Sequence, residues 1–278
     1  VSTRTSPVLR KRRLGRRLRQ MRERARMSLE EASARLDTTR SSLSRIEKGE
    51  SRADVHLVRS MMDLYDHYDA DLLDLARAAK RKGWWHAYGI KDRGYIGMET
   101  EAVEVLTSQL VYVPGLLQTE DYMRAVFASG SVRRTPDELE NQVHARLYRQ
   151  ERLRDEESPL GLTAIVDESA LRRPLGGPTA MRAQLRHLVE AAQLPSVTLQ
   201  VLPYTPKAHS GLEGAFTILR FADLEDPDLL YAEYPTGAIH VEKPDELRAV
   251  MLVLNQLRSE ALTPEDSVAF IETVATQM

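Results

Sequence analysis

Residues 21–49 read MRERARMSLEEASARLDTTRSSLSRIEKG, and they decide the fold of the first third of the chain. Ser28 followed three residues later by Glu31 is a capping-box pattern and opens a helix that ends near Leu36. Asp37 stands where the chain must turn sharply, and Asp tolerates the left-handed turn conformation better than most side chains. Thr38 or Thr39 then caps a further helix running to about Lys48, and Gly49 stops it as a C′ glycine should. Two short helices joined by a tight turn, the second opening on small polar and basic residues, have the layout of a helix-turn-helix. In that motif the second helix enters the major groove of DNA.

Working outward, Leu14, Leu18 and Met21 share one helical face, which predicts a first helix from about Leu9 to Arg26 with arginines on its other faces. Residues 1–8 are expected to form a disordered basic tail. Asp54 caps a fourth helix with Leu57, Met61 and Leu64 as its inward stripe. Asp69 caps a fifth, with Leu72, Leu73, Leu75 and Ala76 facing inward. These five helices make an all-α domain over 9–82. The connector, 83–97, holds adjacent tryptophans. Trp84 and Trp85 either anchor it on the second domain or form a dimer contact.

Residues 98–278 mix patterns. The stretch 98–111 carries both helical and extended character. Helices are expected at 119–128, 135–156, 181–192, 244–260 and 264–276. Extended segments are expected at 161–166, 196–202, 214–221 and 229–234, with 238–242 as a further candidate. This reads as an α+β domain with a four- or five-strand, mainly antiparallel sheet. The expected fold class is therefore a five-helix helix-turn-helix domain followed by an α+β domain.

Charge separates the two parts. Residues 1–82 hold 21 Lys and Arg against 12 Asp and Glu, a net of +9, and residues 83–278 hold 18 against 29, a net of -11. A basic head on an acidic body suits a polyanion-binding domain joined to a solvated regulatory one. The absence of cysteine excludes disulfides, thiolate zinc sites and cysteine nucleophiles, and suits a cytoplasmic location. No run approaches the ~18 apolar residues of a membrane span. The basic N-terminus has no apolar stretch after it, so no secretory signal is expected.

Groove entry needs short side chains on the first turn of the reading helix, and Arg40, Ser41, Ser42, Ser44 and Arg45 supply them. Arg40 is the candidate for a bidentate contact to guanine. Thr39 and the helix N-terminus suit a phosphate, and Arg45 and Lys48 are further phosphate contacts. Leu43 and Ile46 face inward. Glu47 is a framework residue, with Arg22 as its ion-pair partner. No catalytic constellation is expected. The seven histidines show no metal-ligand spacing on a helix, so neither metal nor cofactor is expected. His209-Ser210 near Glu213 lies in a Gly-bounded loop without the strand-turn-helix elbow of a reactive serine.

Two stretches of the second domain are candidate partner surfaces. One is VPGLLQT with the helix after it, contributing Leu116, Leu117, Gln118 and Tyr122. It is either packed core or a partner groove. The other is the loop PKAHSGLEGAF, with His209 and Gly211. Tyr112, Tyr122, Tyr204, Tyr231 and Tyr234 are candidate aromatic anchors.

The stretch MRERARMSLEEASARLDTTRSSLSRIEKGES resembles the XRE (Cro/repressor-like) helix-turn-helix family, most strongly at MSLEEA and SRIEKG. Leu29 stands where that family usually has a DNA-contacting Gln, Ser33 where it has Ala, and Asp37 where it has Gly. The resemblance adds Ser28, at the start of the second helix, to the DNA-binding set. YVPGLLQTEDYMRAV, RLYRQERL, DESALRRPLGGPTAMRAQLRHLVE, SVTLQVLPY, HSGLEGAFTILRF and LLYAEY are similar to the C-terminal domain of WhiJ-like actinobacterial regulators. That likeness implies a repressor modulated by a small protein encoded by a neighbouring gene. The expected function is a DNA-binding transcriptional regulator that acts as a homodimer on double-stranded operator DNA, with no membrane partner. Two alternatives stay open: an antitoxin-like module that mainly sequesters a small protein, and a small-molecule-gated sensor.

Overall fold

Each helix of the N-terminal unit begins at a side chain suited to starting one. Ser6, Ser28, Thr39, Asp54 and Asp69 cap α1 (Pro7–Arg24), α2 (Leu29–Arg35), α3 (Arg40–Glu47), α4 (Val55–Leu64) and α5 (Ala70–Ala79). Each side chain accepts a backbone N–H of the first turn, which would otherwise lack a partner. Four of these helices end on a left-handed residue: Arg26 (φ 56°), Asp37 (φ 48°), Gly49 (φ 70°) and Asp66 (φ 50°). The residue after each reaches back into the last turn, Met27 to Arg22, Thr38 to Ser33, Glu50 to Arg45 and His67 to Met62. This is the Schellman arrangement. The structure, a computed structural model, describes residues 6–90, 94–130, 133–204, 209–223 and 225–278.

Residues 6–8 are not the disordered tail that composition suggests. Pro7 occupies the first helical position, where its missing N–H is no loss, and Leu9 is buried behind it. The Ser6 N–H donates to Glu101 Oε1 at 2.6 Å, which fixes the helix start. Residues 1–5 lie outside the described residues. The core gathers Leu14, Leu18, Met21, Ala32, Leu43, Ile46, Val58, Met61, Met62, Leu72, Leu73 and Ala76. On α4 the buried stripe is Val58, Met61 and Met62, and the expected Leu57 and Leu64 pack at its margin. All five lie on one amphipathic face, and its centre is turned toward the methionines.

The stretch 83–97 is more than a connector. Trp84–Tyr88 form a 3-10 turn and Tyr95–Glu101 form α6. Trp85 is buried, its ring edge-on to that of Trp84 with centroids 6.1 Å apart. The Trp84 indole N–H donates to Thr100 Oγ1 at 3.0 Å. The chain divides into one unit of residues up to Ala87 with Gly94–Glu101, and another of Tyr88–Arg93 with Ala102–Met278. Trp84 therefore anchors on Thr100, which lies in the stretch expected to belong to the second domain and falls in the first compact unit, and burial closes Trp85 to a dimer contact.

In the second unit, β1 (Ala102–Gln109), β2 (Gly161–Asp167), β3 (Val197–Leu202), β4 (Phe216–Phe221), β5 (Leu229–Tyr234) and β6 (Gly237–Val241) form a sheet ordered β3-β2-β1-β4-β5-β6. The β1–β4, β4–β5 and β5–β6 pairs are antiparallel, and the β1–β2 and β2–β3 pairs are parallel. The sheet is thus mostly antiparallel but mixed, and six strands wide. The ambiguous stretch 98–111 resolves into the end of α6 and all of β1. Parallel neighbours need long crossovers. The chain supplies them as α7 (Glu120–Ser129) with α8 (Pro136–Gln150), then α9 (Glu168–Arg172) with α10 (Pro178–Ala191). The helix expected over 135–156 ends at Gln150 and tightens into a 3-10 turn, Glu151–Arg154. α11 (Pro244–Glu260) lays Leu254 and Leu257 on Leu106, Ile165, Leu202 and Ile218 of one sheet face. α12 (Pro264–Thr276) packs on α10 and β3.

Candidate nucleic-acid interface

The reading helix α3 is held from beneath. Leu43 and Ile46 are buried in the core of the unit, and the Glu47 carboxylate is buried against Arg22 of α1. Arg22 Nε donates to Glu47 Oε1 at 2.7 Å and Arg22 Nη2 to Glu47 Oε2 at 2.8 Å. A third guanidinium nitrogen, Nη1, donates to the Met27 carbonyl at 2.8 Å. The hydrogen bond to Glu47 raises the Arg22 pKa further above its already high value. This fork joins the end of α1, the turn after it and the end of α3. It fixes the tilt of α3 without touching the outer face.

Gly15 sets the distance between the same two helices. A Cβ built there would sit 2.4 Å from the Ile46 carbonyl oxygen and 2.7 Å from that of Glu47. Only a hydrogen fits, so α1 crosses α3 backbone to backbone. Asp37 takes the left-handed turn conformation expected of it. Ser33, where Ala is usual, is buried and donates its hydroxyl to the Glu30 carbonyl at 3.0 Å. Leu29 packs against the core, so it supplies apolar contact in place of a polar DNA contact.

The outer face carries the expected side chains. Thr39, Arg40, Ser41, Arg45 and Lys48 are exposed, and Ser42 and Ser44 are half-buried. Thr39 Oγ1 accepts the Ser42 N–H at 3.1 Å, which leaves other N–H groups of the first turn able to meet a phosphate. Ser28, exposed at the start of α2, is held in a full capping box with Glu31. Arg40 Nε lies 2.5 Å from Glu30 Oε1 on α2, and both side chains are largely exposed. An exposed pair of this kind is worth under ~1 kcal/mol, so a guanine edge competes for Arg40 at little cost. Arg45 lies 4.0 Å from Glu50, also in the open.

One cationic group escaped the sequence reading. Burial, and then the charges of Arg52 and Arg12, lower the Lys11 pKa. Arg12 is likewise lowered, first by burial and then by Arg16, with Glu50 opposing. The Gly49 turn that ends α3 lies directly against the Arg12 backbone. Like charges brought together beside the C-terminal end of α3 suit a phosphate backbone. The sequence signal was the arginine run of α1, but which of its members turn toward α3 depends on the helix crossing.

The first partner candidate changes character in the structure. Leu116, Leu117, Gln118 and Tyr122 are all buried, so they form no open groove. Pro114 leads into a 3-10 turn, Gly115–Leu117, that folds the apolar run inward. Its polar groups find internal partners. Gln118 Nε2 donates to the Val113 carbonyl at 2.6 Å, the Val113 N–H donates to the Tyr122 hydroxyl at 3.2 Å, and Arg146 donates to Gln118 Oε1. Gln184 of α10 closes the set, its Nε2 donating to the Leu117 carbonyl at 2.7 Å. In the second candidate, Gly211 is buried, and His209 Nε2 lies 3.7 Å from Asp167 Oδ2. Pro206, Lys207 and Ala208 of that loop lie outside the described residues. Of the five tyrosine anchors, Tyr112, Tyr204 and Tyr234 are exposed, and Tyr122 and Tyr231 are buried.

Residues 13–76 match the family model described as a helix-turn-helix domain, which spans the reading helix, its turn and the Arg22–Glu47 fork. Residues 92–273 match the model described as a domain of unknown function, DUF5753, and that match covers more than half of the chain. The chain belongs to the DUF5753 family. In this DUF5753 protein the helix-turn-helix head is of XRE type and makes the chain a DNA-binding regulator. No curated protein and no solved structure matches it. Among the described residues, no helix is long and apolar enough to cross a membrane, and no group of His, Asp and Glu is placed to hold a metal ion.

Proposed function

We propose that this DUF5753 protein is a sequence-specific transcriptional repressor of WhiJ-like type. In this reading it works in the cytoplasm as a homodimer on operator DNA and catalyses no reaction. Its DNA binding is modulated through the C-terminal domain by a small protein encoded by a neighbouring gene. The observation that supports the DNA-reading role is the division of α3. Leu43, Ile46 and Glu47 are locked inward, and Thr39, Arg40 and Ser41 are exposed on the opposite side. The test is to select genomic fragments with the full-length chain at physiological salt, sequence them, and measure binding with and without the neighbouring small protein. A recurrent half-site pattern, with affinity altered by the small protein, is the expected result. Recovery of fragments with no shared sequence removes the repressor reading, and an unaltered affinity removes the modulation.

A further inference from the structure

The first turn of α2 carries two neighbouring carboxylates that are used differently. Glu31 is tied to its own helix, where its carboxylate accepts the Ser28 N–H at 2.8 Å and the Ser28 hydroxyl at 2.9 Å. Glu30 reaches across the turn to α3, and its Oε1 lies 2.5 Å from Arg40 Nε. Both partners stand on held backbone. Leu29, beside Glu30, packs on the core of the unit, and Ser33 donates its hydroxyl to the Glu30 carbonyl at 3.0 Å. Arg40 is the first residue of α3, directly after the Thr39 cap.

The atom that Glu30 engages matters. A guanidinium presents five N–H groups in a rigid fork. With Nε turned to Glu30, the far end of the fork, Nη1 and Nη2, is left for the O6 and N7 acceptors of guanine. An arginine without such a hold samples many rotamers and can swing to a phosphate, which reads no sequence. A carboxylate beside the reading helix also repels phosphate, so it lowers affinity for every duplex alike. In the open the pair is weak, with the Arg40 side chain 67% exposed and that of Glu30 62% exposed. Against a duplex, water leaves and the same pair strengthens.

We propose that Glu30 is a positioning residue that determines specificity: by holding Arg40 at Nε, it aims Nη1 and Nη2 at a guanine and keeps them from the phosphate backbone. This role rests on the reading of α3 as the DNA-contacting helix. Loss of Glu30 therefore raises affinity for DNA in general and lowers the preference for guanine, whereas loss of Arg40 lowers both.

The test is selection from a pool of random-sequence duplexes with the full-length chain at physiological salt. It is run for wild type, Arg40→Ala, Glu30→Gln, Glu30→Ala, Glu50→Gln and the double variant Glu30→Gln, Arg40→Ala. Arg40→Ala identifies the position, because a guanine preference is expected there in wild type and is absent in the variant. At that position Glu30→Gln and Glu30→Ala are expected to cut the guanine preference ~5-fold or more, out of the ~5–150-fold that a bidentate contact supplies. Binding of both to the unselected pool at low salt is expected to rise ~2–5-fold. Glu50→Gln, which removes an exposed charge past the other end of α3, is expected to leave the guanine preference intact. In the Arg40→Ala background, Glu30→Gln is expected to change no base preference.

A guanine preference that is unchanged or raised in both Glu30 variants overturns the proposal, as does weaker binding of both to the pool. The first is the outcome for a role confined to the stability of α2, and the second makes Glu30 a competitor for Arg40. If wild type and Arg40→Ala differ while the Glu30 variants match wild type, only the role of Glu30 fails. If wild type selects no sequence or binds no duplex, the DNA-reading role of α3 fails with it.

Discussion

Replacing Arg22 with Met should damage the N-terminal unit far more than an average substitution does. Arg22 and Glu47 are each 7% exposed, and the fork between them satisfies both carboxylate oxygens. Arg22→Met leaves the Glu47 carboxylate buried without a counter-charge, a loss of ~3–5 kcal/mol for a broken buried pair. For a unit of this size each kcal/mol moves Tm by ~4–8 °C, so the first transition should fall by at least ~12 °C. Glu47→Leu should fall in the same range, because it strands the guanidinium. The double variant Arg22→Met, Glu47→Leu should recover to within ~2 kcal/mol of wild type, because an apolar pair often replaces a buried ion pair with little loss. Urea and thermal unfolding of the full-length chain, followed by circular dichroism, give the four corners of the cycle. The two units require a fit to separate transitions. If the double variant loses the sum of the two singles, the residues act independently and the fork does not hold α3.

Gly15→Ala should destabilise by ~1–3 kcal/mol through overpacking against the Ile46 and Glu47 carbonyls, although the same change in an open helix normally stabilises by ~0.5–1 kcal/mol. A raised Tm for Gly15→Ala refutes the close crossing. Burial, with the Glu47 charge adding to it, pushes the Tyr65 hydroxyl up to about 12. A folded value above the unfolded ~10 means that this stabilisation is whole below pH ~10 and is lost as the pH rises toward 12. Tyr65→Phe should flatten that alkaline decline and, because the buried hydroxyl has no hydrogen-bond partner, should not lower stability at neutral pH. Stability measured from pH 8 upward checks both. Arg40→Ala should relax sequence preference by ~1–3 kcal/mol at one base, whereas Lys48→Ala should weaken all DNA alike and reduce the salt slope by ~1. Equal losses for Arg40→Ala on operator and scrambled DNA count against its role.

The sequence was most readable where the physics is local. Capping by Ser28, Thr39, Asp54 and Asp69 depends on neighbours within one turn, as does the left-handed turn at Asp37, and these positions place α2 to α5. The Arg22–Glu47 pair was legible because the motif fixes the crossing of its helices. β1 was harder to read. Leu106, Thr107 and Ser108 are buried in succession because the strand lies in mid-sheet, so no alternation marks it. Its parallel pairing with β2 depends on a crossover of about fifty residues, which no short window records. Leu116 and Leu117 failed as surface candidates for a similar reason. Gln184, far along the chain, supplies the partners that let VPGLLQT sink into the core.

The reading surface itself argues that one head is too few. Arg40 is the side chain on the first turn of α3 that can form a bidentate base contact, Arg45 stands further along as a phosphate contact, and the serines beside them accept or donate without naming a base. A single such contact gives ~1–3 kcal/mol of discrimination, whereas specific sites are usually separated from bulk DNA by ~4–10 kcal/mol. The acidic body, at net -11, adds no attraction for phosphate. A second head held on the same duplex closes the gap, because its binding becomes intramolecular at an effective concentration far above that of the free protein. Operator occupancy should therefore rise with the square of chain concentration while the chain is mostly monomeric, and linearly once it is dimeric. Anisotropy titrations started well below the dimer dissociation constant measure that slope. A slope of one throughout, with undiminished preference for operator, means that a single α3 discriminates unaided and that pairing of two copies plays no part in recognition.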